Sequence, residues 1–187
     1  MRGSGTTTLA KKVYDSSTGH FDCHAWIPVS QSYKMEETLK TMIKKFYGSR
    51  KELVPEGIDT MEEVLLFENL TGYLELKGYV VVFYDVWKIE FWSFIKYALS
   101  KNSKCSRVII TTRNDDVASS CKESPFDYVH QLKPLSEDKA WELFCSKIFQ
   151  LDFGGQCPPE LKEFSHKIFG KCEGLPLAIV AIGGLLS

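Results

Sequence analysis

The run Tyr79–Tyr84, YVVVFY, constrains this chain more than any other stretch, being an unbroken series of β-branched and aromatic residues that ends at Asp85. A strand that is apolar on both faces needs cover on both faces, and a parallel sheet layered between helices supplies it. Arg107–Thr112, RVIITT, is a second strand of this kind. Between them Glu90–Leu99, EFWSFIKYAL, fits the crossover helix that parallel neighbours require. The expected class is α/β, a parallel sheet flanked by helices.

The other segments fit that frame. Thr7–Tyr14 reads as a short helix after a Gly-rich turn, and Phe21–Val29, FDCHAWIPV, as a strand. Met35, Leu39, Met42, Ile43 and Phe46 recur at helical spacing. Asp59–Leu76 reads as another helix, with Asp59 and Glu62 as its N-terminal cap and Gly78 as its stop. Tyr128–Leu132, YVHQL, reads as a third short strand. Beyond Pro134 the pattern becomes helical. Ser136 is placed to cap a helix carrying Trp141, Leu143, Phe144 and Ile148. Pro158 and Pro159 open another, with Leu161, Phe164, Ile168 and Phe169 inward, and an apolar helix follows Gly174-Leu175-Pro176-Leu177. Two regions are expected, an α/β unit over residues 1–134 and a helical one over 135–187.

Composition removes several classes of function. With 44% hydrophobic residues in 187, the chain can bury a core, which excludes general disorder. Lys plus Arg number 23 against 24 Asp plus Glu, so there is no basic surplus for sequence-independent binding of nucleic acid or anionic lipid. The six cysteines form no C-x-x-C pair and read as reduced thiols in a cytoplasmic or nuclear setting, and no zinc-ligand spacing is seen. No secretory leader is expected, and the longest apolar stretch, Leu175–Leu186, falls short of the ~20 residues of a membrane span.

Four features carry chemistry. A GSGTTT turn leading into a helix offers backbone N–H groups and a helix N-terminus to a phosphate. Asp85, at the end of an apolar strand, sits where ligands bind in parallel sheets, and could hold magnesium or polarise a water. Arg113 follows RVIITT and could make forked contacts with a γ-phosphate. Gly174-Leu175-Pro176-Leu177-Ala178 fixes the start of a helix. Each feature alone also has a plain reading: a flexible helix start, a capping Asp, a solvated Arg, an interhelical turn.

In this order and spacing the set resembles the NB-ARC domain of plant nucleotide-binding leucine-rich-repeat resistance proteins, a branch of the STAND P-loop ATPases. GSGTTTLAKKVYD is similar to the phosphate loop and its helix, GYVVVFYDVW to the Walker B block, CSRVIITTRNDDVA to the sensor block and CEGLPLA to the Gly-Leu-Pro-Leu block. HFDCHAWIPVSQSY is similar to the block between the first two, and Trp87 is the form found in the coiled-coil class. The resemblance implies a switch in an intracellular, cytoplasmic receptor for plant defence. ADP keeps such a protein closed, and exchange for ATP opens it to oligomerise. It implies that Gly3, Ser4, Gly5, Thr6, Thr7 and Thr8 surround the phosphates, that Thr7 binds Mg2+, that Arg113 senses the γ-phosphate, and that Pro176 closes over the nucleotide. Asp85 is the candidate catalytic carboxylate. The implied partners are nucleotide and the receptor's own coiled-coil and leucine-rich-repeat domains.

Three positions depart from the family pattern. Thr6 stands in place of the phosphate-loop Lys, Tyr84 in place of the first Walker B Asp, and Arg2 in place of a Gly. Thr6 and Tyr84 weaken the expected hold on Mg2+ and the expected ATPase activity, and Arg2 either crowds the loop or partly replaces the lost charge. Met1 aligns inside the phosphate loop, so a partial sequence lacking its first strand is expected, with an open sheet edge beside Tyr79–Phe83. A nucleotide-free pseudo-ATPase scaffold is the alternative. An active kinase or GTPase would need an acceptor lid or an N-K-x-D guanine reader, and neither is found.

Overall fold

The computed structural model describes residues 5–99, 104–149 and 153–186. The chain divides into two compact units, Thr7–Val129 on one side and Met1–Thr6 with His130–Ser187 on the other.

The first unit is built on a parallel sheet of β1 (Cys23–Pro28), β2 (Tyr79–Val86) and β3 (Arg107–Thr112), in the order β1-β2-β3. Tyr79 registers with Cys23, and Val81 with both Ala25 and Val108. The YVVVFY run therefore forms the middle strand, paired on both sides. The open edge expected beside Tyr79–Phe83 is not there, because Cys23–Pro28 fills it. The edges fall on β1 and β3, and Val108 on β3 is 36% exposed.

Alternation along β2 divides the core in two. Tyr79, Val81 and Phe83 point to one face, where they meet Leu39, Met42, Ile43 and Phe46 of α2 (Met35–Ser49), Leu66, Leu70 and Leu74 of α3 (Glu63–Leu74), and Phe91 and Ile95 of α4 (Ile89–Ala98). Val80 and Val82 point to the other, where they meet Ala10 and Tyr14 of α1 (Thr6–Ser17). Each such buried side chain contributes about 1.5–3 kcal/mol relative to exposure. The alternation breaks at a bulge between Phe83 and Val86, after which Val86 lies on the α2–α4 face, one residue out of phase.

Several sequence expectations are corrected. The helix expected from Asp59 begins at Glu63, after a single turn of 3-10 helix over Ile58–Thr60. Asp59 caps nothing there. Its carboxylate pairs with Lys44 at 2.5 Å and its carbonyl accepts from Lys40 at 2.8 Å, so α2 claims it. Tyr128–Leu132 forms no strand, and its apolar residues Tyr128 and Val129 are 85% and 42% exposed. An alternation that short describes an extended linker as well as a strand. A short helix, α5 (Asp115–Ser120), was unanticipated; the Asn114 side chain caps it by accepting from the Asp116 N–H at 2.9 Å.

In the second unit α6 (Glu137–Ile148) packs on α8 (Pro176–Leu186), with α7 (Lys162–Gly170) alongside. Ser136 does occupy the N-cap of α6, without a side-chain capping bond. Gly183 permits close approach, since a Cβ there would lie 2.8 Å from Lys147 Cβ. Trp141 stacks on His166 at 3.9 Å and meets Phe169 edge-on. Leu161 and Phe164, expected inward, are exposed, while Ser165 and Phe169 are buried. The prolines start a 3-10 turn, Pro159–Leu161, that leaves Leu161 outside the α-helix, and within α7 the buried side runs through Ser165 and Phe169, with Phe164 off it.

Gly78 is a steric requirement of the first unit. Its N–H donates to Asp22 at 2.7 Å, its carbonyl accepts from the Asp22 N–H at 2.7 Å, and a Cβ would sit 2.8 Å from the Lys104 carbonyl oxygen. Gly78→Ala should destabilise the chain by about 1–3 kcal/mol, read as a lower urea midpoint at unchanged slope. An unchanged midpoint would show that the Lys104 segment yields freely.

Candidate functional site

Helix α1 sets the position of the candidate phosphate loop, and an aromatic seam seats it on the sheet. The Tyr14 hydroxyl and His24 Nδ1 lie 2.7 Å apart. Burial, and then the charge of Asp15, push the Tyr14 pKa up to about 12. Burial also lowers that of His24. The pair is therefore a neutral hydrogen bond near pH 7. Tyr14 meets Trp26 edge-on at 5.4 Å, and Trp26 stacks on Tyr84 at 5.2 Å. The Lys11 ammonium lies over the rings of both Tyr14 and Trp26 and pairs with Asp15.

At the start of α1 the described backbone is a left-handed glycine leading into a helix. Gly5 has φ +86°, a left-handed conformation that strains any residue with a side chain, and Thr6 is the first helical residue. Gly3 and Ser4 lie outside the described residues. Thr7 and Thr8 are exposed and line an open groove of about 750 Å³ together with Lys11, Lys12, Asp15, Ser16 and Trp26. That lining includes neither Asp85 nor Arg113. In the second unit, a Cβ on Gly5 would come within 4.0 Å of Pro176 Cγ. Pro176 is held by the turn before it. Gly174 has φ +69°, its carbonyl accepts from the Leu135 N–H at 3.1 Å, and a Cβ would sit 3.0 Å from the Leu135 carbonyl oxygen.

Asp85 and Arg113 are brought directly together at the C-terminal ends of β2 and β3. Arg113 Nη2 lies 2.9 Å from Asp85 Oδ1. Asp85 sits in the β2 bulge at φ +60°, and its N–H donates to Thr111 Oγ1 at 3.0 Å. The guanidinium carbon lies 5.1 Å from the centre of the Trp87 ring, within cation–π range. Sequence reasoning missed what Trp87 and Thr111 do here. The signals were present as an aromatic two residues beyond the strand-end Asp and a hydroxyl two before the Arg. It also missed Lys11, Lys12 and Trp26 as groove residues.

Taken one by one, the described donors suit an anion better than a metal ion. A left-handed glycine ahead of a helix N-terminus and a strand-edge Arg are anion-binding features. Among the described residues no three His, Cys, Asp or Glu side chains cluster as a cation site. The strand-end carboxylate is engaged by Arg113, and Tyr84 turns its ring onto Trp26. These residues do not fit Mg2+ as a protein-held ion.

Comparison with known proteins places the chain in a family. Residues 1–154 match the NB-ARC domain. Disease resistance protein RPM1 of Arabidopsis thaliana is 37% identical over 194 residues, covering 100% of this chain and 20% of its own. ToMV resistance protein Tm-2(2) of Solanum lycopersicum is 35% identical over 191 residues, covering 100% of this chain and 21% of its own. Disease resistance protein RPP13 of Arabidopsis thaliana is 40% identical over 190 residues, with 100% and 22% covered. The chain thus spans about a fifth of the length of these relatives. With most of its length matched by the family and its whole length aligned to these relatives, the chain belongs to the NB-ARC domain family.

Proposed function

We propose that this chain is the ADP/ATP-binding switch module of an intracellular plant immune receptor acting in defence. The observation that carries the reading is Gly5 at φ +86° feeding directly into the twelve-residue helix α1. Such a turn aims backbone N–H groups and the positive end of a helix dipole at an anion. The disease-resistance names of the relatives support the defence role.

In this reading Gly3 to Thr8 surround the phosphates, Arg113 meets the γ-phosphate and Pro176 closes over the nucleotide. The coiled-coil and leucine-rich-repeat regions of the whole receptor are the partners through which nucleotide exchange acts, and the ATP state oligomerises. A second reading, a scaffold of the same fold that binds no nucleotide, draws on two observations. Thr6 supplies no cation, and Asp85 already neutralises Arg113.

Titration calorimetry with ADP separates the two. The Thr6→Lys variant should bind ADP more tightly than the unmodified chain by about 2 kcal/mol or more, roughly thirtyfold, since a charged partner to a desolvated phosphate is regained. Equal affinities would show that backbone amides suffice, and no binding by either chain would favour the scaffold.

Nucleotide affinity of the unmodified chain should change little when Mg2+ is added or chelated. Tyr84→Asp should bring a dependence on Mg2+, while the lost Trp26 stacking costs about 0.5–1.5 kcal/mol of stability. Much tighter ATP binding by the unmodified chain with Mg2+ would mean that Thr7 or Asp85 holds the ion without help.

A further inference from the structure

We infer that Asp85 is the internal counter-ion of Arg113, which a phosphate anion must displace, rather than a metal-holding or catalytic carboxylate. The inference rests on the reading of Arg113 as a phosphate-binding residue and says what governs its availability.

The backbone delivers the carboxylate to the guanidinium. The bulge in β2 puts Asp85 at φ +60°, and the Thr111 hydroxyl pins its N–H from the neighbouring strand. A non-glycine residue held in the left-handed region is strained unless its surroundings determine it. Here a hydrogen bond and an ion pair, both to the end of β3, do so. The resulting contact is a charge-assisted hydrogen bond of 2.9 Å.

The pair is also open to exchange. Its side chains are 42% and 37% exposed for Arg113 and Asp85, so solvent screens it and an incoming anion can reach it. The guanidinium has five donors, and the 2.9 Å contact employs the Nη2 end. Trp87, half-buried beside it, supports the guanidinium whether or not Asp85 is charged. Removing the carboxylate charge should therefore leave Arg113 in place and better able to bind an anion. A metal-holding or catalytic role for Asp85 predicts the reverse, weaker binding or none gained.

Asn is the suitable replacement, because it is nearly isosteric and tolerates a positive φ. Tripolyphosphate, which has neither base nor ribose, is titrated without divalent metal into the unmodified 187-residue chain, Asp85→Asn, Arg113→Ala and the double variant. Asp85→Asn should bind it about threefold or more tightly, and Arg113→Ala should abolish the gain. Without anion, phenylglyoxal should modify Arg113 faster in Asp85→Asn, as read by mass spectrometry. Asp85→Gly, which also accepts φ +60°, should repeat both results and guards against misfolding of one variant. No gain in tripolyphosphate binding by either variant overturns the inference, whether all chains bind equally or none binds. A gain in tripolyphosphate binding without any ADP binding would leave the counter-ion standing and sink the nucleotide reading. ATP binding, measured without divalent metal, that ignores both substitutions at Asp85 would do the opposite.

Discussion

Burial of both faces of β2 is the constraint on which the first unit depends. Tyr79, Val80, Val81, Val82 and Phe83 are all nearly inaccessible to solvent, and alternate residues enter different cores. A strand of this kind cannot satisfy itself with helices on one side. Helices α2, α3 and α4 cover one face and α1 the other, so the helix that carries the phosphate-loop candidates is fixed by Val80 and Val82 beneath it. Parallel pairing on both edges brings the ends of β2 and β3 together, which is where ligands collect in sheets of this type.

The two-sided burial also explains why the functional residues begin where they do. As long as the alternation holds, every β2 side chain is committed to a core. At Phe83 the commitment ends: Tyr84 turns to the aromatic seam with Trp26, and the bulge frees Asp85 to face the strand edge. Val86 then rejoins the core on the opposite parity, and Trp87 comes to lie against Arg113. A single extra residue in the ladder thus converts a structural strand into a platform for an Asp, an Arg and an aromatic ring.

Much of this was legible in the sequence because the signals were strong and local. Long apolar runs identified β2 and β3, helical spacing identified α2, the need for a crossover identified α4, and the Ser136 cap identified α6. The failures share one physical cause: the sequence shows what a residue can do, and tertiary structure decides which option is taken. Asp59 is a plausible cap, yet two lysines of α2 claim its carboxylate and carbonyl. Tyr128–Leu132 alternates like a strand but joins no sheet, and Phe164 has the spacing of an inner residue but lies off the side of α7 that buries Ser165 and Phe169. Asp85 and Arg113 were each identified as edge residues. Their mutual contact depends on a bulge that no periodicity announces.

On the proposed reading, the charges of the site decide how strongly it would hold an anion. A phosphate loop ordinarily presents a point charge, a helix dipole and oriented N–H groups. In this chain the position of the point charge is Thr6, so the dipole and the N–H groups remain. At the strand edge Arg113 brings a full positive charge, but Asp85 cancels it over 2.9 Å. Lys11 is likewise engaged by Asp15 and by the faces of Tyr14 and Trp26. Arg113 and Lys11 thus have internal partners, and a phosphate that engages them gains only the difference between its own contacts and those it displaces. Small changes in the internal partners therefore alter affinity as effectively as changes in the residues that touch the ligand. For the proposed switch, whose two states would have to lie close in free energy, weak and replaceable internal ion pairs would suit the task better than a permanently exposed cation.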